Sequence, residues 1–203
     1  MSRRTLFTMP YPTKLTPATI ENAAWQLFQQ GGPDALSMRP LADVLGVRPG
    51  SLYRHFDSRD ALLGALAARA AHELQLELQT AAEDHLPRNA LQAAAGAYLH
   101  YARSNPHAYA LLLVPAEADP QPGLKTTAGK ALWNTLLRLV GDLSGHPDDT
   151  DHAVALWTFL HGAASLERAG IYGPSGPRGG IDLGLAALLD HMQEAGAGGN
   201  PPS

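Results

Sequence analysis

Apolar residues return at helical spacing along nearly the whole chain, and residues that start and stop helices sit between them. Ile20, Ala23, Ala24, Leu27 and Phe28 follow the i, i+3, i+4, i+7, i+8 pattern of an amphipathic helix. Thr16 as N-cap and Pro17 as first helical residue open it, and Gly31-Gly32-Pro33 stops it. A shorter stripe follows at Leu41, Val44 and Leu45. Ser37 precedes that stripe as its N-cap, with a hydroxyl able to accept from a backbone N–H left free in the first turn. Pro40 falls inside the same turn, where no intrahelical donor is needed. Gly46 ends the helix, because glycine takes the left-handed conformation at little cost. Pro49 then opens a short helix in which Leu52 and Phe56, four apart, face inward. Asp57-Ser58 turns the chain and caps a long fourth helix that runs to about Asp84.

Within that helix His72 to Thr80 alternates apolar and polar, which is the period of a strand. Its Leu, Glu, Gln and Ala residues are strong helix formers and no β-branched residue occurs before Thr80, so helix is the better reading. Pro87 opens a fifth helix with Leu91, Ala94, Ala95, Tyr98, Leu99 and Ala102 on one face. Ser104-Asn105-Pro106 breaks the chain before a short apolar helix from His107 to Val114, and Pro115 to Gly123 reads as a proline-rich loop. Trp133, Leu136, Leu137 and Val140 mark a seventh helix ending near Gly141–Gly145. Asp148, Asp149 and Asp151 favour the start of an eighth, since carboxylates offset the positive end of the helix dipole. It runs to about Ala169, with Gly170 beyond. After a turn-rich loop from Gly173 to Gly180, Leu185, Leu188, Leu189 and Met192 mark a ninth helix. The expectation is an all-α fold of about nine helices, with no convincing strand. A three-helix head spans 14–60 and a larger helical body 61–195, between a flexible arm at 1–13 and a disordered tail at 196–203.

Composition narrows this without redirecting it. A hydrophobic fraction of 45% and a charged fraction of 17% are those of an ordinary globular protein. The absence of cysteine excludes disulfides and thiolate metal sites, and is compatible with a reducing cytoplasm. No apolar run approaches the ~18 residues of a membrane span. Met1-Ser2-Arg3-Arg4 is basic, but the polar Thr8 to Lys14 stretch behind it is no signal-peptide core. The net charge of −4 hides an asymmetry. Residues 1–63 carry seven Lys and Arg against five acids, and the remainder eight against fourteen. A basic end on an acidic body suits a protein that presents one end to phosphates.

Leu36 to Phe56 is helix, tight turn and second short helix, the geometry that places one helix in a DNA major groove. The outward positions of the second helix carry hydrogen-bond donors and almost no negative charge. Thr16 to Leu66 resembles the DNA-binding domain of the TetR family of bacterial transcriptional repressors. The closest echoes are Leu45-Gly46-Val47, Leu52-Tyr53-Arg54-His55-Phe56 and Ser58-Arg59-Asp60-Ala61-Leu62-Leu63. One departure is Arg48, which stands where the family usually has a small hydroxyl residue; the recognition helix loses its usual cap and gains a cation. The body resembles a TetR-family regulatory domain named for a Trp and a His-Gly pair, here Trp157 and His161-Gly162. Tyr101-Ala102-Arg103-Ser104-Asn105-Pro106 is similar to that domain's aromatic-Ala-x-x-x-Pro segment.

The resemblance implies backbone phosphate contacts from Arg39, Tyr53, His55 and Arg59. Lys14 and the Arg3-Arg4 arm would reach phosphate or minor groove. Base reading would fall to Arg48, Gly50, Ser51 and Arg54, with Ser37 and Pro49 in the same DNA-facing set. Arginine can donate to guanine O6 and N7 in bidentate fashion, and Gly50 lets the backbone approach closely. A homodimer is also implied, its eighth and ninth helices pairing through Gly162, Ala163, Leu185, Leu188, Leu189 and Met192. Two recognition helices would then lie about 34–36 Å apart on a palindromic operator in double-stranded DNA. A small-molecule inducer would sit among the fifth to seventh helices, against Tyr98, Tyr101, Tyr109, Leu112, Trp133 and Trp157, residue types that are more often plain core.

The nine histidines form no His-x-x-x-His or Glu-x-x-His pair. His161, four residues from Trp157, reads as a buried, hydrogen-bonded structural residue. No nucleophile motif and no phosphate-cradling glycine loop are present, so neither cofactor nor metal is expected. Two alternatives stay open: a DNA-binding regulator with no small-molecule ligand, and an all-α enzyme with a His/Glu site.

Overall fold

Thr16 and Thr19 satisfy each other at the start of the first helix. The Thr16 hydroxyl accepts from the Thr19 N–H at 3.2 Å, and the Thr19 hydroxyl accepts from the Thr16 N–H at 2.9 Å. The computed structural model describes residues 15–112, 122–173 and 179–198. The arm at 1–13, Lys14, the end of the predicted sixth helix, most of the proline-rich loop and the last residues of the tail therefore lie outside the described residues. The helices are α1 (Pro17–Ala35), α2 (Met38–Leu45), α3 (Pro49–Leu52), α4 (Arg59–Ala82), α5 (Pro87–Ser104), α6 (Pro106–Leu111), α7 (Pro122–Ser144), α8 (Thr150–Arg168) and α9 (Gly179–Gly198). Among the described residues the fold is all-helical, and no helix is long and apolar enough to cross a membrane.

In α1 the apolar stripe packs as its spacing predicts, with Ile20, Ala24 and Phe28 fully buried. Trp25 joins them, its ring 4.7 Å from the Arg69 guanidinium. The expected stop appears at Gly32. Gly32 alone leaves helical geometry, at φ 66° and ψ −158°, and helical structure resumes through Pro33 to Ala35. That conformation is open essentially to glycine alone, and the break puts Pro33 at the start of a fresh turn, where it is tolerated.

Ser37 occupies the N-cap position of α2 but makes no side-chain capping bond, so its predicted role there is positional only. Val44, expected in the core, is 59% exposed. A helix of two turns buries one face, and here Met38, Leu41 and Ala42 take it. Gly46 closes α2 in the left-handed conformation, at φ 65° and ψ 31°. In α3 Leu52 is fully buried and Phe56, just beyond, is half-buried against the core. Ser58 caps α4 by accepting from the Ala61 N–H at 3.0 Å.

The alternating stretch His72–Thr80 is helix, as propensity required. α4 packs against α1 at one end and against α5 and α7 along its length. The predicted boundary between residues 60 and 61 thus falls in the first turn of a continuous helix shared by head and body. Pro122 opens α7 inside the expected loop, because proline suits a first helical position. α9 continues through 196–198, which the sequence assigned to a disordered tail. Gly196 lies so close to α7 that a Cβ there would stand 2.8 Å from the Ser144 carbonyl oxygen, a contact that pins the helix end.

Candidate nucleic-acid interface and regulatory body

Leu41 and Leu52, both fully buried, anchor α2 against α1 and α3 against α2 and turn the rest of α3 outward. Arg48, Pro49, Gly50, Tyr53, Arg54 and His55 are exposed on that surface, Ser51 is half-buried, and Arg39 is exposed on α2. Among the described residues, none of the side chains of Arg39, Arg48, Tyr53, Arg54 and His55 makes a hydrogen bond or ion pair. Cations without a counter-ion keep their charge available to an anionic partner. Arg48 sits at the N-cap of α3 with extended backbone and no side-chain capping bond.

Arg59 is engaged elsewhere. Its Nε donates to the Leu36 carbonyl at 2.7 Å and its Nη2 to the Pro33 carbonyl at 2.6 Å. The guanidinium clamps the last turn of α1 to the first turn of α4, a role the sequence did not suggest for the residue expected at phosphate. No local pattern could have shown this, because the three residues are brought together only by the Gly32 break.

In the body, α6 delivers Tyr109 into a polar string. Its hydroxyl lies 2.7 Å from His161 Nδ1 and 3.1 Å from the Tyr98 hydroxyl. The Tyr98 and Tyr109 rings meet edge to face at 5.8 Å, and His161 stacks on Tyr109 at 5.8 Å. Burial pushes both phenols above their ordinary value, so they hydrogen-bond as neutral groups. His161 is hydrogen-bonded as expected, though half-buried rather than buried. Tyr101 is fully buried, and its hydroxyl donates to the Ala70 carbonyl of α4 at 3.3 Å. It packs in the core between α5 and α4. Trp133 and Trp157 lie 5.5 Å apart, tilted by 38°, and like Leu112 are half-buried.

The predicted dimer set divides between core and surface. Ala163, Leu185, Leu189 and Met192 are buried within one protomer, where α9 closes over α7 and α8. Gly162 and Leu188 are half-buried. The apolar surface left outside was not singled out from the sequence: Val154 and Leu166 on α8, Ile171 after it and Leu183 on α9, the last 73% exposed. A recess of about 420 Å³ between α8 and α9, lined by Thr158, Phe159, Gly162, Leu166, Tyr172 and Ile181 among others, lies beside them. These positions fall off the main apolar stripes, which is the signal that could have found them.

A helix–turn–helix head with unpaired cations on its outer face, mounted on an all-helical body, defines a DNA-binding regulator. Two family models match the chain. Residues 20–66 match the bacterial regulatory proteins of the tetR family, and residues 91–192 match the tetracyclin repressor-like C-terminal domain. The chain belongs to the TetR family of transcriptional regulators, which are not enzymes. An HTH-type transcriptional regulator of Mycobacterium tuberculosis is 29% identical over 165 residues, 79% of this chain and 73% of that one. The class A tetracycline repressor protein from transposon 1721, in Escherichia coli, is 49% identical over 55 residues, 27% of this chain and 26% of its own. A solved protein of unknown function from Rhodococcus sp. RHA1 has a TM-score of 0.74 at 26% identity, covering 92% of this chain and 97% of that one.

Proposed function

We propose that this chain is a cytoplasmic, homodimeric repressor that binds a palindromic operator and is released by a small-molecule inducer. The observation that carries the DNA-binding part is the exposed, partner-free set Arg39, Arg48, Tyr53, Arg54 and His55 around α3. Arg39, Tyr53 and His55 contact phosphate, while Arg48, Ser51 and Arg54 reach base edges. Lys14 and the arm reach phosphate or minor groove. The head, residues 14–60, reads DNA, and the body, 61–195, dimerises and senses ligand.

Dimerisation uses the exposed face of α8 and α9, with Gly162 and Leu188 at its edge and Leu166 and Leu183 outermost. The inducer contacts Trp133, Trp157 and Leu112, near the Tyr98–Tyr109–His161 string. A ligand that prefers a body conformation with mis-spaced heads lowers DNA affinity by that preference alone. That the Escherichia coli relative is a repressor supports repression as the sign of regulation.

The test is fluorescence anisotropy on DNA from upstream of the chain's own gene, against scrambled DNA, across a salt series. Tight binding to the native fragment with two subunits per site is the expected result. Absence of binding to any DNA at low salt removes the reading. Thermal shift against a metabolite library decides between inducer release and a regulator without ligand.

A further inference from the structure

We propose that His152 of α8 and His191 of α9 form a binding site for a divalent transition-metal ion of the zinc and copper class. Their ring centres lie 5.2 Å apart, with the planes at 61°. Among the described residues no other two imidazoles touch. Two imidazoles on one tetrahedral ion, each with a metal–nitrogen bond of about 2 Å, bring their ring centres to about 5 Å. The pair therefore already stands at the separation that coordination needs. No local pattern announces it, because the two histidines come from different helices.

Asp149 fixes which nitrogen of His152 is free. Its carboxylate lies 2.7 Å from His152 Nδ1 and can only accept, so Nδ1 carries the proton. Nε2 keeps its lone pair. Neither it nor either nitrogen of His191 has a hydrogen-bond partner among the described residues. A carboxylate behind a histidine is the arrangement that orients a metal ligand and raises its basicity. The fully buried Ser144 hydroxyl stands beside the same carboxylate, so the support runs from α7 through Asp149 to His152. The start of α8 is the positive end of its dipole, which opposes a cation, and Asp149 and Asp151 offset it. Arg88 of α5 reaches the residue before His191 but is paired there with Asp190 at 2.6 Å. His191 is exposed, which leaves the ion a way in. No third His, Asp or Glu among the described residues completes the set, so water fills the remaining positions.

The experiment uses the full, untagged chain, dialysed against a chelator and then titrated with Cu2+ and with Zn2+. One ion per chain should bind, and the copper spectrum in electron paramagnetic resonance should carry hyperfine structure from two imidazole nitrogens. Zinc at a hundred times its Kd should raise Tm by about 5 °C. His191→Phe keeps a ring against His152 and removes one ligand. It should leave the metal-free Tm within about 1 °C, reduce the copper signal to one nitrogen and weaken binding by about tenfold or more. Asp149→Asn still caps α8, since asparagine is as good an N-cap, yet should weaken ion binding about tenfold. His72→Ala, at an exposed histidine on α4, should bind as wild type does. Equal affinity of His191→Phe and wild type, a single-nitrogen signal in wild type, or no ion bound by wild type overturns the proposal.

Discussion

Replacing Arg59 by methionine keeps most of the aliphatic stem and removes both hydrogen bonds to the end of α1. The bond from Nη2 to the Pro33 carbonyl is exposed, so water replaces most of it. The bond from Nε to the Leu36 carbonyl is partly buried. A hydrogen bond from a charged donor is worth about 1.5–3 kcal/mol, so the expected loss is about 2 kcal/mol. For a chain of this size that lowers Tm by about 4–8 °C. Arg59→Lys offers one compact donor in place of a fork, and should lose about half as much. DNA affinity should fall in both variants, because the clamp sets the last turn of α1 beneath the helix–turn–helix motif, but its salt dependence should not change. A phosphate contact predicts the opposite: unchanged stability, a salt slope smaller by about one, and lysine as a full substitute. Circular-dichroism melting and anisotropy titrations at several salt concentrations separate the two. If Arg59→Met melts within about 1 °C of wild type and its salt slope drops by one, the clamp reasoning fails.

Leu189→Ala should destabilise the protomer by about 2–5 kcal/mol, since Leu189 is 1% exposed in one chain. Leu183→Glu should leave protomer stability within about 0.5 kcal/mol yet convert dimer to monomer in light scattering, and a persisting dimer sinks the α8/α9 assignment. Asp149 caps α8 by accepting from the His152 N–H at 3.3 Å, and its other carboxylate oxygen lies 2.7 Å from His152 Nδ1. Burial raises its carboxyl, but the nearby Ser144 hydroxyl and His152 outweigh that and hold it below the usual range. It therefore adds stability above the ordinary carboxylate pKa that is lost as pH falls through the folded value. Asp149→Ala should cost about 0.5–2 kcal/mol near neutral pH in urea unfolding, with the gap to wild type narrowing on acidification. A gap that stays constant contradicts this. Tyr53→Ala should weaken binding to all sequences about equally, whereas Arg48→Ala should relax preference at one base pair. Identical rankings of an operator panel by Arg48→Ala and wild type would refute its base-reading role.

The helices were legible because their signals are local. The Thr16 cap, the Gly46 stop and the apolar stripe of α5 each involve residues within a few turns of one another, and all appear in the structure. The outward set around Arg48 and Tyr53 was legible for the same reason. Leu52 and Phe56 claim one face of a short segment, and the rest must point away. Where the structure adds to the reading, two surfaces compete for one stripe. Leu185, Leu189 and Met192 repeat as an interface does, and the same spacing serves equally for packing inside one chain.

By itself, then, the sequence determined an all-α chain with a helix–turn–helix near its start and donors on that motif's outer face. Propensity, capping and periodicity act over a few residues and need no knowledge of distant partners. Only the tertiary structure decided that Arg59 holds Pro33 and Leu36, that Tyr101 of α5 donates to α4, and that α9 turns its apolar face inward. Each depends on which distant surface a helix meets. That is set by the whole core closing at once, with every buried polar group needing a partner and every apolar face a cover.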